Sequence, residues 1–65
     1  MNWYYVTINE NLQGYHIIHH MDCFRLPNPE NRIFLGSFIN SKGAILKAKD
    51  YYSRISICTN CCNVS

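Results

Sequence analysis

The chain has 65 residues, a formal net charge of +2, 48% hydrophobic residues and 15% charged ones. That length allows one domain, and a domain of this size buries only about 60% of the surface its unfolded chain exposes. The aromatic-rich composition excludes a disordered segment, and the weak charge gives no electrostatic case for nucleic acid by itself.

Residues 3–9 are aromatic and β-branched and predict a first strand. Asn9 to Gly14 is a turn cluster, with Gly14 free to take a positive φ. Residues 15–20 form a second strand that pairs with the first as a hairpin. Period-two alternation puts Tyr15, Ile17 and His19 on one of its faces and His16, Ile18 and His20 on the other. Residues 21–31 hold Pro27 and Pro29 and read as a loop. Arg32 to Phe38 is a short third strand.

Asn40 or Ser41 offers a helix N-cap, although Gly43 or Ala44 stands where a capping box needs an acid. A helix follows over residues 42–52, with Ala44, Ile45, Ala48, Tyr51 and Tyr52 on one face. The stretch from Ser53 to Ser65 has no helical period and carries three of the four cysteines. The predicted fold is α+β in a single domain over residues 1–65: a hairpin, a third short strand, one helix on the sheet and a C-terminal zinc knuckle.

Two short pairs carry the chemistry: His19-x3-Cys23 and Cys58-x2-Cys61. Structural zinc takes four N or S ligands in a tetrahedron, and Cys-x2-Cys lets one tight turn aim two thiolates at a single ion. The expected ligand set is His19, Cys23, Cys58 and Cys61, with structural Zn2+ as the cofactor. His20 is an alternative to His19 and Cys62 to Cys61, while His16 fits least well. The competing readings are free thiols packed as small hydrophobes and, in a secreted chain, disulfides. The first residues lack a secretory signal and no stretch approaches the ~20 apolar residues of a membrane span. A cytoplasmic location with reduced thiols is therefore expected.

The order Gly14-Tyr-His-Ile-Ile-His19 with Cys23, Phe38-Ile-Asn-Ser-Lys-Gly-Ala44 and Cys58-Thr-Asn-Cys61 resembles the zinc-binding, methylphosphotriester-repair domain of Ada-type proteins. The likeness covers residues 12–62. A closer likeness, over residues 4–62, is to a set of short uncharacterised bacterial proteins with a His-x2-His-x3-Cys-x2-Leu-Pro pattern and a Cys-x2-Cys-Cys end. The Ada likeness implies a zinc scaffold. It does not imply methyl transfer, because His19 aligns with the cysteine whose thiolate accepts the methyl group, and imidazole is a poor substitute for that nucleophile.

Enzyme function is not expected. Cys58-x2-Cys61 lies beyond the helix, away from the strand-to-helix setting of thioredoxin-like chemistry, and Cys23 with His19 or His20 lacks a third orienting group. Trp3, Tyr4, Tyr5, Tyr15, Tyr51 and Tyr52 are more aromatics than a small core buries fully, which favours an interface role for those left outside. The expectation is a non-catalytic zinc module that contacts a protein. Nucleic-acid binding through an Ada-like surface is the first alternative, and a small thiol redox or disulfide-stapled protein is the second.

Overall fold

The computed structural model describes residues 2–58. Its elements are β1 (Asn2–Thr7), β2 (His16–His20), β3 (Arg32–Phe38), α1 (Ser41–Ala48) and β4 (Ile55–Ile57), with one 3-10 turn at Pro29–Asn31. The strands form one mixed sheet in the order β3-β1-β2-β4. The α+β class expected from the sequence is the one observed. Among the described residues no helix is long and apolar enough to cross a membrane.

The β1–β2 hairpin closes through Asn11. Its side-chain oxygen accepts from the backbone N–H groups of Gln13 and Tyr15, both at 2.9 Å, and Gly14 takes φ 84°. An Asx-type turn of this kind occupies backbone donors that no strand partner can reach. The hairpin register pairs Tyr4 with His20, Tyr5 with His19 and Val6 with Ile18. One face of the sheet therefore carries Tyr4, Val6, Ile18 and His20, and the opposite face carries Tyr5 and His19.

Helix α1 lies on the first of these faces. Tyr4, Val6, Ile18, Leu35, Ala44 and Ala48 form the core, and Ile33, Phe38, Ile45, Tyr52, Ile55 and Ile57 pack around it. Small alanines let the helix axis come close to the sheet, so Val6 and Ile18 are fully buried. The side chain of Asn40 accepts from the N–H of Lys42 at 3.0 Å, which makes Asn40 the N-cap.

Regular helix stops at Ala48, four residues short of the expected Tyr52. The N–H groups of Tyr51 and Tyr52 both bond to the carbonyl of Ala48, so the chain tightens into a turn there. That turn lays Tyr52 flat on the His16 ring, 3.5 Å away at an interplanar angle of 7°, and sends the chain back towards the sheet. The returning segment is β4, a strand of three residues that carries no period of its own in the sequence. It pairs parallel to β2 with His16 opposite Ile55, Ile17 opposite Ser56 and Ile18 opposite Ile57.

A bulge in β3 sets the last part of the core. Tyr4 faces Gly36 while Tyr5 faces Phe34, so Leu35 is an extra residue in the ladder. The shift moves Phe38 onto the helix face, where its ring centroid is 6.3 Å from that of Tyr4. Phe38 in turn sits where a side chain at position 43 would go: a Cβ on Gly43 would lie 2.6 Å from its Cδ1 and 3.3 Å from its Cβ. Gly43 thus permits close approach of the helix to a ring. Alanine is the better helix former by about 1 kcal/mol, yet overpacking a filled site costs about 1–3 kcal/mol. Gly43→Ala is expected to lower the melting temperature in a thermal denaturation followed by circular dichroism. An unchanged or raised midpoint would show that Phe38 yields without cost.

Candidate metal centre

His19 is the residue that β2 turns away from the helix, between Ile18 and His20 on the other side. Residue 58 reaches it through β4. The backbone N–H of Cys58 donates to the carbonyl of Ile18 at 3.0 Å, extending the parallel ladder by one step. In a parallel pair, neighbours in register point to the same face, so Cys58 arrives beside His19. Cys23 comes from the loop after β2. Its N–H donates to the carbonyl of His20 at 2.9 Å and its own carbonyl accepts from Leu26 at 3.1 Å. These two turns fold the loop back over the sheet.

The ligand atoms of His19, Cys23 and Cys58 lie within 4.8 Å of one another, and all three residues are buried. They are close enough to hold a metal ion. The two sulfurs are 3.8 Å apart. Three of the four residues singled out as ligands are therefore brought together, although 35 residues separate the two cysteines. Cys61 and its alternative Cys62 lie outside the described residues.

The other histidines are placed elsewhere. His16 faces the helix side, where its Nδ1–H donates to the carbonyl of Thr7 at 2.9 Å and its ring stacks on Tyr52. His20 meets the ring of Tyr4 edge-on at 5.5 Å, and its Nδ1 accepts the N–H of Asp22 at 3.0 Å. Among the described residues the only cluster of metal-ligating groups is His19, Cys23 and Cys58. The alternation of β2 separates His19 from its neighbour His20, which spacing along the chain could not do.

The pKa of His19 is lowered from 6.5, first by burial and second by the positive charge of Arg25. Both effects favour the neutral imidazole, which is the form that can donate a lone pair to a metal. Arg25 also lines a groove of about 450 Å³ beside the cluster, together with Asn11, Gln13, Ile17, Ser56 and Ile57. No protein-family model, curated protein or solved structure matches this chain.

A lowered folded-state pKa carries a definite sign. The unfolded chain binds a proton at His19 more readily than the folded one, so this residue's contribution is complete above pH 6.5 and is lost as pH falls through the folded pKa. Thermal midpoints measured from about pH 8 down to about pH 5 should fall below the ordinary histidine pKa of about 6.5. A midpoint that is flat or rising on acidification would contradict this placement of His19.

Proposed function

We propose that this chain is a non-catalytic zinc module in which His19, Cys23 and Cys58, with Cys61 as the fourth ligand, hold a structural ion. The observation that carries the reading is the convergence of three buried donors from three separate segments. Nitrogen and thiolate donors in this combination suit zinc over the hard cations, which prefer oxygen. The sulfur separation fits as well. With Zn–S bonds of about 2.3 Å, the edge of a regular tetrahedron is about 3.8 Å, matching the 3.8 Å between Cys23 and Cys58.

Cys61 enters through its Cys-x2-Cys spacing to Cys58, the arrangement that places two thiolates on one ion from a single turn. A fourth protein ligand would close the site and leave no position for substrate or water. The role of the metal is then energetic. Structural zinc in finger peptides contributes on the order of 10 kcal/mol, which is comparable to the whole stability of an ordinary domain. From the Ada-type likeness this reading keeps the ligand order and the scaffold. With imidazole from His19 in the place of the reactive thiolate, it does not keep methyl transfer.

Intact mass under native conditions should show one zinc per chain, lost on denaturation. Chelation should lower the thermal midpoint steeply or unfold the protein. Cys58→Ser and Cys61→Ser should each reduce zinc retention sharply, whereas Cys62→Ser should retain one equivalent. Metal-free protein whose stability does not respond to chelator would overturn the reading.

A further inference from the structure

The face of the sheet opposite α1 carries a cluster of rings that the metal centre does not use. Tyr5 and Phe34 are directly opposite each other in the β1–β3 ladder, with centroids 5.3 Å apart. Trp3 meets Phe34 edge-on at 5.9 Å. Trp3 is 49% exposed and Phe34 52% exposed, so both rings present substantial area to solvent. The guanidinium of Arg32 lies over the Tyr5 ring, 4.6 Å from its centroid, and is steadied by donating to the carbonyl of Pro27 at 2.8 Å. Tyr5 is also the register partner of His19, so the rings run directly up to the metal cluster. Beyond His19 the surface continues into the groove lined by Arg25.

Two features of this face select its occupant. The side chains that the β1–β3 ladder places on it, Trp3, Tyr5, Thr7, Arg32, Phe34 and Ser37, include no carboxylate. Arg32 over Tyr5 and Arg25 beyond His19 put two cations on the Tyr5 side, while Asp22 borders the Trp3 end. Planar rings with two cations along one side match a ligand that has planar faces and a negative backbone running along that side. Unpaired bases stack on aromatic side chains in a sequence-tolerant way, and phosphates lie against nearby arginines. In a duplex the base faces are already stacked on one another and cannot reach the rings.

We propose that the Trp3–Tyr5–Phe34 face, with Arg32 and Arg25, binds single-stranded nucleic acid by stacking two or three bases on the sheet. This site does not require the bound ion to touch the nucleic acid. It rests on the zinc reading only so far as the ion keeps the sheet folded.

Trp3 is the single tryptophan in the chain, so the site carries its own fluorescent probe. Zinc-loaded full-length protein would be titrated at low salt with oligo-dT and oligo-U strands of about 10 nucleotides, a length within the usual single-strand site size. Saturable quenching of Trp3 is expected, weakening as salt rises. Phe34→Ala should weaken binding roughly 5- to 100-fold, the range for loss of one stacked base. Arg32→Gln and Arg25→Gln should weaken it less and flatten the salt dependence. Zinc content and thermal midpoint, measured on each variant, separate loss of the face from loss of the fold. No quenching at low salt would overturn the proposal. So would equal affinity for duplex, or affinity unchanged in Phe34→Ala with zinc still bound. Quenching that follows protein concentration alone would assign the face to a second copy of the chain and overturn it too.

Discussion

The parallel pairing of β4 with β2 is the constraint on which the rest depends. Three residues of strand, ending in the bond from the Cys58 N–H to the Ile18 carbonyl, bring the end of the described chain alongside β2 at the rim of the sheet. Ile55 and Ile57 close the core beneath α1 while Cys58 turns to the opposite face beside His19. One short ladder thus serves both sides of the sheet. A pairing this short is weak alone, since isolated short strands have little independent stability. A metal bridging Cys58 to His19 and Cys23 would hold it in register.

The two faces divide the work. The helix side is ordinary packing: small alanines, two β-branched residues at the centre and rings at the margins. It also absorbs two histidines that spacing alone left open as ligands. His16 is held between the Thr7 carbonyl and the Tyr52 ring, and His20 packs on Tyr4. The other side keeps what is left for chemistry and contact, namely the His19 cluster and the exposed rings. This partition follows from strand alternation in β1 and β2.

Much of this was legible in the sequence. The hairpin, the third strand and the apolar helix face followed from alternation and period, because each segment is long enough to display one. Spacing could pair Cys23 with His19 or His20, and Cys58 with Cys61, since short ligand intervals reflect local turns; which histidine joins Cys58 depended on the alternation of β2. The fourth strand was not legible. Ile55-Ser-Ile is too short to establish a period, and its partner lies nearly forty residues earlier in the chain. The helix end was not legible either, because Tyr51 and Tyr52 extend the apolar period past Ala48. Tyr52 is instead drawn out of the helix by the His16 ring, a contact that depends on where β2 lies. The bulge at Leu35 was also hidden, and with it the face on which Phe38 lands.

That bulge bears on how the molecule behaves among its neighbours. β3 is an outer strand, seven residues long, with Ile33, Phe34 and Leu35 ahead of Gly36 and Phe38 beyond it. A flat outer strand of that length offers a row of unsatisfied backbone groups to any other chain that meets it. The extra residue bends the strand and increases its local twist, and Gly36, at φ 131°, allows the bend without strain. A foreign strand could follow only part of such an edge before its hydrogen bonds fell out of step. The device that turns Phe38 inward therefore also makes the outer rim of the sheet a poor template for aggregation.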